Sequence, residues 1–339
     1  MRIGFNPNKD KVQESNEFFH QVIVPVYIPN HEGYFKDSFT ILKYCMQSLL
    51  NTTHPKTYFT IVNNGSCDEV VNYLNDLHKQ NKIQELIHTT NIGKLNAILK
   101  GITGQQFPLI TISDADVLFL NDWQQATYQI FETFPLAGVV STTPSSKAIR
   151  YFTSNVLCSN ILSNHMRFTQ VVNPDAMKSF AESIGNPSLY KACHLEKYLT
   201  ISKGNVKAVI GAGHFVATYR GSIFDTVQQR NTIYNLGGNS ECNVLDKPVI
   251  ENGFWRLSTE NNYTFHMGNT IEDWMSKQVE DLYENKYICK TTPKLVAINC
   301  NRFVNWFALK IFSKALFVKL IWIFFLRLKG LSKEQANHY

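Results

Sequence analysis

The sequence predicts an α/β fold: a Rossmann-like, mostly parallel sheet flanked by helices. Two observations lead to this prediction. In the first half of the chain, short runs rich in Val, Ile and Thr alternate with amphipathic stretches in the order βαβαβαβ. These runs are apolar on both faces, as is typical of strands covered by helices on both sides. Because crossovers between parallel strands are right-handed, we expect a doubly wound sheet.

The individual elements follow from the same patterns. We expect strands at residues 21–26, 58–63, 85–89 and 108–113, with the sequences QVIVPV, YFTIVN, ELIHT and PLITIS. Apolar residues recur three and four positions apart at 39–50, 68–80 and 94–99, which predicts helices there. Beyond residue 140 the alternation weakens. We expect a helix at 174–184 and extended chain at 206–219 and 254–267.

The composition excludes several classes of protein. With 339 residues, 44% of them hydrophobic, the chain can bury a large core, so it is neither disordered nor fibrous. The net charge of +6 is modest, and no basic stripe of the kind that binds nucleic acid occurs. The seven cysteines are widely spaced and include no CxxC pair, which predicts free thiols. The N-terminus lacks the apolar run of a signal peptide, so we expect a cytoplasmic location.

The clearest candidate for chemistry is Asp114-Ala115-Asp116, which directly follows the predicted strand at 108–113. Two carboxylates at this spacing can bind one divalent cation and a neighbouring ribose, and oxygen ligands suit Mn²⁺ or Mg²⁺. The alternative is an acidic turn that caps the next helix. The end of a buried strand favours the metal site, because burying two acids requires a compensating charge.

Polar turns also follow the second and third strands, at the edge where such sheets bind ligands. Asn63-Asn64-Gly65-Ser66 can hydrogen-bond a flat base, or form a plain Asn-Gly turn. Asn91-Ile92-Gly93-Lys94 begins a helix, and a cation at a helix N-terminus suits an anionic diphosphate. This turn lacks the second glycine and the Ser or Thr of a nucleoside-triphosphate-binding loop.

Together with Pro25-Val26-Tyr27 after the first strand, these turns resemble, in order, the signature of family 2 glycosyltransferases with the GT-A fold. The resemblance covers about residues 20–125 and continues more weakly to His266. It implies a catalytic domain at 1–290, with a nucleotide-binding half at 20–125 and an acceptor half at 126–290. It also implies inverting transfer of a sugar from a nucleotide diphosphate sugar, with a UDP-sugar favoured, to a saccharide acceptor.

The resemblance assigns roles to individual residues. Asn63 would face the base, Asp114 the ribose and Asp116 the metal, with His266 as a further metal ligand. The family usually has Asp where Asn63 stands, which leaves the identity of the base open. Gly213 and His214 would lie near the donor sugar, although small residues there also permit tight backbone packing. The implied nucleotide-sugar-binding residues are Pro25, Val26, Tyr27, Asn63, Asn91, Gly93, Lys94, Asp114, Ala115, Asp116, Gly213 and His214.

The catalytic base is expected in the segment 237–246, where the family carries a Glu-Asp pair. Cys242 stands at the position of that aspartate. Asp246 and Glu241 are therefore both candidates, with Asp246 preferred, since a base needs a carboxylate within reach of the acceptor hydroxyl.

The C-terminal region, residues 291–339, is expected to form an amphipathic helical extension. Its stretch 302–329 contains two tryptophans and six basic residues, and its uncharged run at 320–326 is far shorter than the roughly twenty residues that span a bilayer. Basic and aromatic residues favour an anionic leaflet, which predicts peripheral association with the inner face of a bacterial plasma membrane. The acceptor is then a lipid-linked saccharide of surface polysaccharide or glycolipid synthesis. The alternative is a core helix packed on the catalytic domain or on a second subunit.

Two other functions compete with this interpretation. A nucleotidyltransferase that makes sugar nucleotides would carry a glycine-rich basic loop after the first strand, and residues 25–30 contain neither glycine nor a cation. A catalytically inactive nucleotide-sugar-binding or scaffold protein would explain Asn63 and Cys242, whereas Asp114, Asp116 and His266 argue against it. The oligomeric state is left open.

Overall fold

The computed structural model describes residues 4–11, 17–227, 231–284, 293–298 and 300–339. The strands of this part of the chain are β1 (His20–Val26), β2 (Thr57–Asn64), β3 (Glu85–Thr89), β4 (Leu109–Ser113), β5 (Val117–Phe119), β6 (Ala137–Ser141), β7 (Met166–Gln170), β8 (Lys197–Lys203), β9 (Val206–Ile210), β10 (Val216–Arg220), β11 (Trp255–Thr259) and β12 (Thr264–His266). The helices are α1 (Ser38–Thr52), α2 (Asp68–Lys79), α3 (Lys94–Ile102), α4 (Trp123–Thr133), α5 (Ser154–Asn160), α6 (Pro174–Ser183), α7 (Ala192–Glu196), α8 (Lys247–Glu251), α9 (Asp273–Glu284), α10 (Arg302–Phe307), α11 (Ser313–Leu316), α12 (Lys319–Leu328) and α13 (Lys333–His338).

Ten of the strands form one sheet in the order β3-β2-β1-β4-β10-β6-β11-β9-β8-β7. The strands β1 to β4 are parallel, and β10 runs antiparallel between β4 and β6. A separate small sheet pairs β5 with β12. The predicted α/β fold class is confirmed, and the strands and helices predicted before residue 125 lie within a few residues of the observed ones.

The second half departs from the prediction in two places. The extended run expected at 206–219 is two strands, β9 and β10, that are not neighbours in the sheet. Gly211 interrupts it with a φ of +106°, and a Cβ there would lie 2.6 Å from the Ala148 carbonyl oxygen. The run expected at 254–267 is likewise two strands, β11 in the large sheet and β12 in the small one. The hydrophobic pattern alone does not reveal that one apolar run divides into two strands with different neighbours in the sheets.

Both faces of the parallel half are covered by helices. On β1, Val22 and Val24 pack with α1 residues such as Leu42. Ile23, on the opposite face, packs with Ile98 of α3. All of these side chains are fully buried. Since successive residues of a strand point to opposite faces, this two-sided burial explains why the predicted strands are continuous apolar runs.

The C-terminal helices pack against the other end of the sheet. Trp322, Phe325 and Leu326 of α12 are buried in a cluster with Leu157 and Phe168. In the described part of the chain, none of the helices is long and apolar enough to cross a membrane. The expected boundary between residues 290 and 291 and the predicted thiol of Cys289 lie outside the described residues. The described cysteines are free.

Candidate active site

The carboxyl ends of the parallel strands border a pocket of about 430 Å³. The position is the expected one for an open α/β sheet, where loops after the strands form the ligand site. Eight of the predicted nucleotide-sugar-binding residues line it: Pro25, Val26, Tyr27, Asn91, Lys94, Asp114, Ala115 and Asp116. The pocket is therefore built from loops that lie far apart in the sequence.

One wall carries a group of possible metal ligands, Asp114, Asp116 and His266, whose ligand atoms lie within 4.8 Å of one another. The Nε2 atom of His266 lies 3.5 Å from Oδ2 of Asp116. The pairing of β12 with β5 places His266 opposite Val117, next to the two aspartates. On its other side, Nδ1 of His266 lies 3.0 Å from Oγ of Ser183, which holds the imidazole ring in place.

The electrostatics of this group fit a divalent cation. Burial raises the pKa of Asp116 to about 6, and the neighbouring charge of Asp114 acts in the same direction, although His266 and Lys94 oppose it. Among the described residues no donor reaches the buried Oδ1 atom of Asp116. A buried, unpaired carboxylate oxygen is costly unless a cation compensates it. Two carboxylates and an imidazole form a ligand set that suits Mn²⁺ or Mg²⁺.

Lys94 connects this group to the other side of the site. Its Nζ lies 2.7 Å from Oδ1 of Asp114 and 3.1 Å from Oε1 of Glu241. Burial works to lower the pKa of Lys94, but the two carboxylates outweigh it and the pKa is raised. The lysine at the start of α3 is therefore a cation at any physiological pH.

The backbone before Lys94 is also constrained by its neighbours. Gly93 has a φ of +88°, and a Cβ there would lie 2.9 Å from the carbonyl oxygen of Tyr234. The amide of Lys94 donates a hydrogen bond to the carbonyl oxygen of Asn235, 2.9 Å away. The segment around Asn235 and Leu236 thereby forms part of the pocket wall. Gly93 allows this close approach.

A chain of ionisable side chains extends from Lys94 into the protein. Glu241 Oε2 lies 3.5 Å from Nε2 of His214, and Nδ1 of that histidine lies 3.5 Å from Oδ2 of Asp246. Asp246 in turn forms an ion pair with Arg256. The hydrogen bond to Asp246 is the main cause of a raised pKa at His214. The π-helical turn Cys242–Asp246 follows Glu241 directly.

The two candidate bases differ in accessibility. The side chain of Glu241 is 18% exposed, whereas those of Asp246 and Arg256 are both 0% exposed. Arg256 also donates a hydrogen bond of 2.6 Å to the Ala212 carbonyl oxygen. Of the two candidate carboxylates, only that of Glu241 is open to a molecule that enters from solvent.

Some predicted residues lie elsewhere. Asn63 is 3% exposed and is not part of the pocket wall, because its Oδ1 accepts from the Ser66 amide and its Nδ2 lies 2.9 Å from Nδ1 of His88. The next residue, Asn64, lines the pocket instead, with its Oδ1 accepting from the Ile92 amide. The two-residue period of β2 puts adjacent asparagines on opposite faces, but does not say which face meets the pocket.

Gly213 and His214 lie in the loop between β9 and β10, outside the wall of the pocket and next to Glu241. Sequence reasoning missed further lining residues, among them Asn235, Leu236, Gly268 and Asn269, and it missed the buried Arg256. An arginine within the apolar strand β11 was a signal, because a buried arginine requires a carboxylate partner.

The open sheet and the carboxylate, lysine and histidine group at its carboxyl edge define an enzyme site for a nucleotide diphosphate derivative. Residues 22–191, which are half of the chain, match the model of glycosyl transferase family 2. The protein therefore belongs to that family. It is a glycosyltransferase of the GT-A fold class that uses a nucleotide-sugar donor.

Solved structures similar to this chain include residues 1–349 of TarS from S. aureus in complex with UDP, at 11% identity and a TM-score of 0.44, with 88% of this chain and 72% of that chain covered. The same protein in complex with UDP-GlcNAc matches at 11% identity and a TM-score of 0.44, with 94% and 78% covered. Curated protein sequences give no match.

Proposed function

We propose that this protein is a metal-dependent, inverting glycosyltransferase. It transfers a sugar from a nucleotide diphosphate sugar, with a UDP-sugar favoured, to a saccharide acceptor carried on a lipid. The observation that carries the proposal is the group of Asp114, Asp116 and His266 on the wall of a pocket that Lys94 also lines. Such a group provides both a divalent-metal site and a cation for an anionic diphosphate.

The donor site assigns different tasks to its residues. Asp116 and His266 would hold the metal, with Asp114 shared between the metal and Lys94, whose Nζ is 2.7 Å away. A divalent cation bound there would neutralise the negative charge that develops on the leaving diphosphate. Lys94 adds a fixed positive charge beside it, which stabilises the same developing charge.

We propose Glu241, rather than Asp246, as the general base. A base must come within hydrogen-bond distance of the hydroxyl that it deprotonates. The Glu241 carboxylate is partly exposed beside the donor pocket, whereas Asp246 is fully buried and paired with Arg256. In the reaction, the proton of the acceptor hydroxyl passes to Glu241 as the hydroxyl oxygen attacks the anomeric carbon. The bond from that carbon to the nucleotide diphosphate breaks, and the nucleotide diphosphate leaves. Asp246 then acts as a positioning residue, because it orients His214 against Glu241.

The C-terminal helices support peripheral binding to a membrane. Large apolar side chains of α10 and α12 remain exposed, among them Phe303, Trp306, Leu320 and Phe324. The exposed cations Arg302, Lys319 and Arg327 lie on the same helices. This combination favours the interface of an anionic leaflet. A position at the inner face of the plasma membrane, with a lipid-linked acceptor of surface polysaccharide or glycolipid synthesis, follows as the proposed setting.

The proposal is tested by calorimetric titration of the protein with UDP, GDP, CDP and dTDP, each with Mn²⁺ and with EDTA. We expect binding of one diphosphate, UDP being favoured, in the presence of Mn²⁺ only. Asp116→Asn should abolish this binding, because it removes a charged metal ligand. Asp175→Asn, at a side chain that is 85% exposed and outside the pocket wall, is the matched control and should bind normally. Equal binding in EDTA, or no binding of any diphosphate, would refute the metal-dependent donor site.

A further inference from the structure

A second cavity, of about 780 Å³, lies between the catalytic domain and the C-terminal helices. Arg150 and Lys247 contribute to its wall from the catalytic domain, and Arg302, Trp306 and Lys310 contribute from the first C-terminal helices. We call it the basic groove. It is separate from the donor pocket, with which it shares no lining residue.

The basic groove has an excess of positive charge. Its four cations face one carboxylate, Glu251, which lies 3.7 Å from Nζ of Lys247. Among the described residues, Arg150, Arg302 and Lys310 form no ion pair with a carboxylate. Several unpaired cations on one concave surface repel one another, so the groove favours an anionic occupant. Guanidinium groups match the oxygens of a phosphate through paired hydrogen bonds.

Aromatic contacts restrain one of these cations. The guanidinium of Arg150 lies 5.1 Å from the ring centroid of Phe317 and 5.3 Å from that of Trp322. The tail itself is held on the catalytic domain by Asn305, whose Nδ2 donates to the Ile250 carbonyl oxygen at 2.8 Å. The groove is therefore a formed site whose two walls are connected, not a chance opening between separate bodies.

The groove adjoins the proposed base. Tyr151, on its wall, forms a side-chain hydrogen bond with Cys242, the residue that follows Glu241. Lys247, on the same wall, directly follows Asp246. An acceptor whose phosphate lies in the groove thus has its neighbouring sugar within a short distance of the Glu241 side of the site.

The outer side of the groove is apolar. Trp306 lines the cavity and is 50% exposed, and its ring stacks with that of Phe303, which is 73% exposed. An aromatic pair beside a basic cavity is suited to the boundary between lipid headgroups and acyl chains. A water-soluble phosphate would make no use of these two exposed rings.

We propose that the basic groove binds the phosphate of a lipid-linked acceptor, with the lipid chain leaving across Phe303 and Trp306. This inference rests on the proposed transferase function and specifies its acceptor as an anionic lipid phosphate. Arg150, Arg302 and Lys310 are the residues that recognise the phosphate.

The test compares three kinds of vesicle in co-sedimentation, without nucleotide or metal: phosphatidylcholine alone, phosphatidylcholine with phosphatidylglycerol, and phosphatidylcholine with oleate at the same surface potential. The charge of phosphatidylglycerol lies on a phosphodiester, the kind of phosphate that joins a lipid to a sugar, whereas the charge of oleate lies on a carboxylate. We expect the protein to prefer phosphatidylglycerol. The double variant Arg302→Gln/Lys310→Gln should lose that preference, with an affinity loss of about fivefold for each charge.

The matched control is Lys319→Gln/Arg327→Gln, which removes two exposed tail charges outside the groove. It should weaken binding to both anionic vesicles equally and retain the preference. Arg150→Gln tests the opposite wall and should reduce the preference as well. Retained thermal stability and Mn²⁺-dependent diphosphate binding show that a variant is folded.

Three results would overturn the inference: no preference for phosphatidylglycerol in the unaltered protein, equal losses for the groove and control variants, or glycerophosphoglycerol, which is the same lipid without its acyl chains, binding as tightly as the vesicles. Each leaves the donor site untouched, because diphosphate binding is measured separately. If the unaltered protein shows no metal-dependent binding of a diphosphate, the proposed function itself is refuted.

Discussion

Glu241 and Asp246 show how the surroundings of a side chain decide its role. They lie on the same short segment, yet Glu241 is open to the site and Asp246 is fully buried against Arg256. The π-helical turn between them holds more residues than an α-helical turn. A prediction that assumes α-helical spacing therefore points their side chains in the wrong directions. The sequence alone placed Asp246 first, and the proposed assignment reverses that order.

We predict that Glu241→Gln lowers kcat by about 10²–10⁴-fold, because the amide cannot accept the proton of the acceptor hydroxyl. Diphosphate binding should persist, since Lys94 and Asp114 remain in place. The measurement is the release of UDP from the donor sugar together with calorimetry. Glu280→Gln, an exposed change on α9, is the control and should leave kcat unchanged. A fully active Glu241→Gln enzyme would rule out this residue as the base.

Asp246→Asn should instead reduce stability. The substitution leaves the guanidinium of Arg256 buried without its counter-charge, which costs about 3–5 kcal/mol. Urea unfolding of the variant measures this loss. A change below about 1 kcal/mol would contradict a structural role for the pair, since such a change is typical of exposed ion pairs.

At the scale of elements, β1 and α4 are joined through buried histidines. Nδ1 of His20, at the start of β1, lies 2.7 Å from Oη of Tyr128, and Nε2 of His54 lies 2.8 Å from the same atom. Burial lowers the pKa of both histidines, in the case of His54 to about 4. Both are therefore neutral in the folded protein at neutral pH.

The protein should lose stability as the pH falls from about 6.5 to about 4. Between these two pH values His54 binds a proton in the unfolded protein but not in the folded one, so acid favours unfolding. Above the ordinary pKa of 6.5, His54 is neutral in both states, and its contribution to stability does not change with pH. The effect of His54 alone is up to about 3 kcal/mol. Urea unfolding at pH 7.5 and 5 measures it.

His54→Gln should reduce this pH dependence, because glutamine cannot gain a proton in either state. His165→Gln, at an exposed histidine, is the control and should leave the pH dependence as it is. Equal pH dependence in the unaltered protein and in His54→Gln would contradict the argument.

At the scale of the whole molecule, the C-terminal helices have two apolar faces. On α12, Trp322, Phe325 and Leu326 are buried against residues of α5 and β7, while Leu320 and Phe324 are exposed. The two interpretations of the tail, a core helix or a membrane-binding helix, therefore do not exclude each other. One face packs on the sheet, and the other is available to a lipid surface.

A pair of substitutions separates the two faces. Leu326→Ala should destabilise the protein by about 2–5 kcal/mol, because it leaves a cavity in the core. Phe324→Ala, at a side chain that is 66% exposed, should change stability by no more than about 0.5 kcal/mol. Urea unfolding measures both.

Phe324→Ala should also weaken binding to anionic vesicles, because it removes an aromatic ring from the outer face. The control for this measurement is Ile184→Ala, an exposed apolar residue at the C-terminal end of α6 and outside the tail helices. If Phe324→Ala destabilises the protein as much as Leu326→Ala does, the outer face is part of the core and the membrane interpretation fails.

The sequence by itself determined the parallel half of the sheet, the family and the position of the Asp114–Asp116 turn. These depend on local features: apolar runs with a short period, and turn residues that directly follow them. Each is encoded within about ten residues of chain, which explains why the strands before residue 125 agree closely with prediction.

Only the tertiary structure decided which side chains meet. His266 reaches Asp116 because β12 pairs with β5, and Asn64 rather than Asn63 lines the pocket because of the orientation of β2. Asp246 is buried because Arg256 comes from a different element, β11. These outcomes depend on pairing between segments that are remote in sequence, and residue periodicity carries no information about which remote segment becomes the neighbour.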